Sequence, residues 1–205
     1  MKNNYQKELD KVLLQLDKTE EKPSLLLHSC CAPCSSYVLE YLQSYFSITV
    51  YYYNPNITEK AEYDKRIQEV RRLIKEMGLT DVDVLEGEHD PKSFFAMAAK
   101  WPGEKEGGLR CYDCYKMRII NTAEVAAEKG YDYFTTTLSI SPHKNAQWLN
   151  ELSEEASAIY GVKALPADFK KRNGYKRSIE LSAEYDLYRQ DYCGCIFSKK
   201  EREQQ

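Results

Sequence analysis

The sequence lacks the features that assign several function classes at once. It has no G-x-G-x-x-G stretch and no P-loop pattern, so the glycine-rich cradles that hold dinucleotides and nucleotide phosphates are missing. Only 9 of 205 residues are Gly and 7 are Pro, which excludes collagenous and low-complexity chains. Its longest apolar runs, Leu25-Leu26-Leu27 and Ile48 to Tyr53, fall far short of the roughly 20 residues that cross a bilayer, so no membrane contact is expected. Residues 1–21 are charged, with apolar Val12, Leu13, Leu14 and Leu16 but no apolar h-region and no small-residue cleavage site, so a cytoplasmic location is expected. Histidine is scarce, and His28, His89 and His143 are too scattered to form a metal motif. The chain also has no excess of positive charge: 29 Lys and Arg face 32 Asp and Glu, for a net charge of -3. Any surface that binds nucleic acid must therefore be local.

What remains is an ordinary globular composition, 42% hydrophobic, on a chain of single-domain length. One domain over 1–205 is expected, with a helical extension over 1–22 and a C-terminal segment over 166–205. Apolar spacing predicts helices over Tyr5 to Leu16, Pro33 to Leu42, about Tyr63 to Met77, Pro91 to Trp101, Cys114 to Lys129, and from after Lys144 to Tyr160. Leu25 to His28, Ile48 to Tyr53, Val82 to Leu85 and Tyr133 to Leu138 read as strands. Strands alternating with helices predict an α/β fold, a three-layer α/β/α arrangement around a parallel sheet. Reactive groups of such folds collect outside the carboxyl ends of the strands, where Cys30, Cys31 and the Ser139 to Lys144 loop should sit.

The chemistry-bearing signal is cysteine. Six of seven fall in three short clusters, Cys30-Cys31, Cys111-Tyr112-Asp113-Cys114 and Cys193-Gly194-Cys195, and the seventh, Cys34, follows the first across Ala32-Pro33. In a reducing compartment such clusters mark metal binding or thiol redox chemistry, because disulfide frameworks do not persist there. Cys30 and Cys31 lie where a strand enters a helix, and Cys111 and Cys114 form a C-x-x-C, so the two groups together can supply four thiolates. Zinc accepts the same donors. Adjacent cysteines are unusual for a zinc knuckle, and the third pair looks redox active, so the clusters read as those of an iron-sulfur oxidoreductase. A disulfide between Cys193 and Cys195 would close a small, readily reduced ring; two further metal ligands is the competing reading. Cys34 has two readings as well, a helix-face residue or a ligand of a second metal beside the cluster.

Lys170 to Arg177 carries five cations in eight residues, with Tyr175 inside the run and Phe169 beside it. A solvated loop and an RNA contact with stacking aromatics are equally consistent with that pattern. Tyr112, Tyr115, Tyr188 and Tyr192 flank the clusters. His28 reads as a packed, hydrogen-bonded residue and Asp113 as a charge partner for a helix N-terminus.

His28-Ser29-Cys30-Cys31-Ala32-Pro33-Cys34, Arg110-Cys111-Tyr112-Asp113-Cys114-Tyr115-Lys116-Met117-Arg118, Thr135-Thr136-Thr137-Leu138 with Ser141-Pro142-His143-Lys144, Asp168-Phe169-Lys170-Lys171, and Tyr188-Arg189-Gln190 through Cys195 together resemble the QueH-type epoxyqueuosine reductases, from Leu25 to Ser198. The resemblance implies a fold similar to the adenine-nucleotide α-hydrolases and PP-loop enzymes, and reduction of epoxyqueuosine to queuosine at the wobble position of tRNA. It implies a [4Fe-4S] cluster on Cys30, Cys31, Cys111 and Cys114, a redox-active disulfide between Cys193 and Cys195, and an electron donor. Room remains for a second metal ion, iron, next to the cluster. Two competing readings are a zinc-stabilised RNA-binding module and a cluster-dependent tRNA sulfur transferase.

Overall fold

A computed structural model describes residues 3–17 and 21–204. The expected N-terminal extension is thus described except for residues 1, 2 and 18–20; residue 205 also lies outside the described residues. The sheet holds β1 (Ser24–His28), β2 (Ser47–Tyr52), β3 (Asp83–Glu86), β4 (Tyr133–Thr136) and β5 (Lys163–Ala164) in the order β3-β2-β1-β4-β5, every pair parallel. The helices are α1 (Tyr5–Leu16), α2 (Ala32–Leu42), α3 (Lys60–Glu76), α4 (Pro91–Ala98), α5 (Leu109–Glu128), α6 (Ala146–Tyr160), α7 (Gly174–Glu184) and α8 (Ile196–Glu203).

Helices cover both faces, which is why β1 reads as an unbroken apolar run. Leu25 and Leu27 point into a core shared with α1, α2 and α3, whereas Leu26 points into a second core shared with α5 and α6. All three leucines have 0% exposure, a burial worth roughly 2 kcal/mol each. This is the three-layer parallel architecture expected. The order of strands reverses between β1 and β4, so the crevice at their carboxyl ends is the switch point where such sheets place ligands. Cys30 and Cys31 follow β1 there. Cys30 N donates to Thr137 Oγ1, at the start of the 3-10 turn Thr137–Ile140 that follows β4.

Several boundaries differ from the sequence reading. β4 stops at Thr136 rather than Leu138, because the Thr136 hydroxyl accepts from Leu138 N and turns the chain into the 3-10 segment. The helix carrying the C-x-x-C begins at Leu109, not Cys114, so Cys111 and Cys114 lie one turn apart inside its first turns. Residues 174–177 of the basic run begin α7 rather than a loop. Phe169 is fully buried in the core and offers no stacking platform to RNA.

Candidate redox and metal site

The loop after β1 is fixed before any ligand arrives. Buried His28 hydrogen-bonds through Nδ1 to Thr136 Oγ1 at 2.8 Å and through Nε2 to Tyr53 O at 3.0 Å. A carbonyl can only accept, so Nε2 carries the proton and Nδ1 accepts from the threonine. Burial, reinforced by Arg118, lowers the His28 pKa to about 4 and keeps the ring neutral. His28 is therefore the packed residue its sequence context predicts. Ser29 N donates to Tyr51 O, and the Asn54 amide donates to Ser29 O at 2.8 Å. Ser35 Oγ donates to Cys31 O at 2.9 Å, tying the loop to the first turn of α2.

On this loop Cys30, Cys31 and Cys34 bring their sulfurs within 4.8 Å of one another, and Cys30 Sγ lies 3.7 Å from Cys31 Sγ. Cys34 thus joins the ligand-competent group. Hydrogen bonds from Cys30 and Cys34, with Arg66 nearby, hold the Cys31 thiol well below its usual range. The same sharing pushes Cys30 up to about 11 and raises Cys34. Three sulfurs that share one another's hydrogen bonds are the starting state that an incoming metal would meet.

Cys111 and Cys114 stand apart from that trio, beside Cys193 and Cys195, around a small apolar void under Phe94. Of the four proposed cluster ligands, Cys30 and Cys31 line one cavity and Cys111 and Cys114 line the void beside it. Cys193 is the cysteine common to both halves, because it also lines the cavity of about 290 Å³ with Cys30, Cys31 and Cys34, and Glu106 and Arg118 line both as well. All seven cysteines are free thiols, Cys193 and Cys195 included. Cys195 caps α8 by accepting from Ser198 N at 3.3 Å, while Cys193 N donates to Ser198 Oγ. Burial, then Cys193, pushes Cys195 up to about 12; burial also raises Cys111 and Cys114.

Gly194 joins the pair at φ +110°, where a side chain would strain the backbone and meet Ile57 and Arg66 Nη1 at 2.9 and 3.0 Å.

The sequence reading missed the cations. Arg66 and Arg118 are 2% and 1% exposed, and each leaves Nη2 without a hydrogen-bond partner among the described residues. Arg66 Nη1 donates to Cys193 O at 3.4 Å, and Arg66 Nε to Glu62 at 2.6 Å. Arg118 donates from Nε to Cys114 O at 3.3 Å and from Nη1 to Asn54 Oδ1 at 3.5 Å. Asn54 therefore links the β1 loop to α5. Lys144 donates to Cys193 Sγ at 3.0 Å and pairs with Glu106 at 3.5 Å. Burial works against its charge, yet Cys193 and Tyr115 raise its pKa well above the usual value. Arg66 had a visible signal: it shares the apolar stripe Tyr63, Ile67, Val70 of α3, a position a solvated arginine does not take. Asp113 departs from its expected role and accepts from the Trp101 indole at 2.8 Å. His143 and Tyr175, by contrast, do line the cysteine cavity.

Thiols converge here with two buried, under-satisfied guanidinium groups and an ammonium. That donor set fits an anionic metal-thiolate group, because thiolates bind iron and the cations offset the charge.

A family model described as Epoxyqueuosine reductase QueH matches residues 25–201. A protein named Epoxyqueuosine reductase QueH from Staphylococcus epidermidis is 46% identical over 97% of this chain and 87% of its own length. Its namesake from Streptococcus pyogenes is 43% identical over 98% and 81%. The one from Thermotoga maritima is 32% identical over 87% and 92%. Among solved structures, NMN synthetase from Francisella tularensis superposes with a TM-score of 0.52 at 11% identity, over 98% of this chain and 82% of that one. Likeness at that identity concerns the fold alone.

Proposed function

We propose, for a chain that belongs to the epoxyqueuosine reductase QueH family, that it reduces epoxyqueuosine to queuosine in tRNA, at the wobble position. The observation that carries this reading is the convergence of cysteines from three segments at the switch point of the sheet, with Cys193 on the wall between the two halves.

Turning an epoxide into an alkene breaks two C–O bonds, consumes two electrons and two protons, and releases the oxygen as water. Forming a disulfide from Cys193 and Cys195 releases two electrons and two protons. One oxidation of this pair therefore balances one turnover, and a separate donor returns the disulfide to thiols. Residues Cys30, Cys31, Cys111 and Cys114 would hold a [4Fe-4S] cluster, whose chemistry when bound is single-electron transfer. Cys34, surplus to that set but within the trio, would serve a second iron. Lys144, kept as an ammonium beside Cys193, would stabilise the oxyanion as the C–O bond breaks. Cys193 is half-buried and Cys195 buried, which favours reduction by a dedicated donor over indiscriminate oxidation.

The experiment is anaerobic purification with iron and sulfide analysis, followed by nucleoside analysis of tRNA bearing epoxyqueuosine. A brown protein that forms queuosine is expected; a colourless zinc protein without turnover would overturn the reading. Single changes of Cys30, Cys31, Cys111 or Cys114 to Ser should each lower bound iron, since a hydroxyl is a poor iron ligand. Cys193→Ser with Cys195→Ser should retain the iron and lose multiple turnover. Loss of iron in that double variant would reassign the pair as ligands.

A further inference from the structure

The basic run of residues 170–177 does not form one patch. Lys171 N donates to Asp168 O and Gly174 N to Lys171 O, both at 2.9 Å, and the two residues between, Arg172 and Asn173, adopt left-handed backbone at φ 52° and 62°. Left-handed non-glycine residues in succession cost free energy and persist only where the surroundings impose them. The turn splits the run. Lys170, Lys171 and Arg172 line an open groove of about 970 Å³, whereas Lys176 and Arg177 enter α7 and pair with Glu180 and Glu40.

That groove is bounded on its other sides by the first turns of α1 and α6, so two helix N-termini face it. Five cations and three carboxylates line it. The carboxylates are engaged: Asp10 with Arg172, Asp168 with Lys170 at 2.6 Å, and Glu151 with the Gln147 amide at 2.8 Å. Exposed Lys7 and Lys171 make no ion pair among the described residues, which leaves uncompensated positive charge along the groove. Lys144 lines both this groove and the cysteine cavity, so the two meet at its side chain.

We propose that this groove docks the phosphodiester backbone of the tRNA anticodon arm and leads the modified base past Lys144 to the cysteines. The inference rests on the substrate reading above and adds the path of entry: α1 is part of the RNA surface, and the second half of the basic run is not. Phosphates satisfy the two free lysines and the helix N-termini together, in the manner of backbone-positioning contacts that carry no sequence information.

The test is binding of an anticodon-arm RNA hairpin by iron-loaded protein over a range of salt. Lys7→Glu with Lys171→Glu should weaken binding at least about tenfold and reduce the log–log salt slope by about 2, as expected for two lost phosphate contacts. Lys171→Ala alone should show a smaller loss in the same direction. Lys100→Glu with Lys176→Glu applies the same charge change outside the groove and should stay within about twofold of wild type. Equal losses in both pairs, or no loss in the groove pair, would overturn the groove. Failure of the wild type to convert epoxyqueuosine while the groove pair still loses RNA binding would sink the substrate reading and leave the groove standing.

Discussion

Arg118 illustrates how much of this site is decided by single buried charges. Its guanidinium has 1% exposure, one nitrogen without a hydrogen-bond partner among the described residues, and Cys114, Cys193 and Cys30 as the sulfur neighbours that hold its charge in place against burial. A buried cation with no carboxylate partner among the described residues carries a desolvation cost in the empty protein that two long hydrogen bonds, to Cys114 O and Asn54 Oδ1, offset only in part. Arg118→Leu should therefore melt no lower than wild type when free of metal. The iron-loaded form should behave oppositely, losing at least about half its iron on gel filtration and shifting its reduction potential to more negative values, because an anionic cluster would lose its compensating charge. Retention of full iron at an unchanged potential would reduce Arg118 to a packing residue. Arg118→Lys should restore part of the iron. Cysteine spacing made the thiols legible in the sequence, but spacing says nothing about which helix faces meet. Asn54 carries no such spacing signal, although its amide joins two cysteine-bearing segments.

Among the elements, the turn before α7 carries a sharp demand. A Cβ on Gly174 would sit 2.0 Å from Phe169 O and 2.5 Å from the Tyr37 ring, and a backbone oxygen has nowhere to move. Gly174→Ala should cost roughly 2–3 kcal/mol in a denaturant titration, in the range of overpacking penalties. It should also release the strained Arg172 backbone, so RNA binding should fall while iron content holds; a stable variant with normal RNA binding would show that the turn is easily re-formed. The first four strands and most helices were legible because their apolar spacing is long and regular. What escaped lacked such a signal. β5 is two residues long, α8 has apolar side chains only at Ile196 and Phe197, and α7 starts at a glycine behind a left-handed Asn173 without a side-chain cap. The early start of α5 was hidden likewise, since Gly108 caps it with no side chain.

At the scale of the whole molecule, the C-terminal segment is a strap that carries Cys193 and Cys195 onto a site otherwise built by the sheet. Polar ties hold it to α3: Tyr188 N donates to Glu69 Oε1 at 2.7 Å, Arg72 donates to Tyr185 O and Asp186 O, and the Tyr188 hydroxyl reaches Glu62. Ser198 and Glu201 tie its far end to Glu106 and Arg110. Glu69 is the hub, bonded to Arg72 as well, and that arginine foremost holds its carboxyl below the ordinary range. Glu69→Ala should therefore loosen the strap without unfolding the sheet. Amide exchange should quicken across residues 185–198 and stay slow in β1 and β4, and Cys193 should be alkylated faster at neutral pH. The pH dependence has a definite sign. A carboxyl whose folded pKa is depressed stabilises fully above its unfolded value, about 4.5, and that contribution disappears as pH falls through the lower folded value. The exchange difference between wild type and Glu69→Ala should therefore be largest at neutral pH and close below about pH 4.5, because the protonated wild-type carboxyl can no longer hold Arg72 as an ion pair. A difference that persisted unchanged into acid would mean that the strap is held by its apolar contacts, Leu187 in the main core and Phe197 against Phe94, and not by the carboxylate.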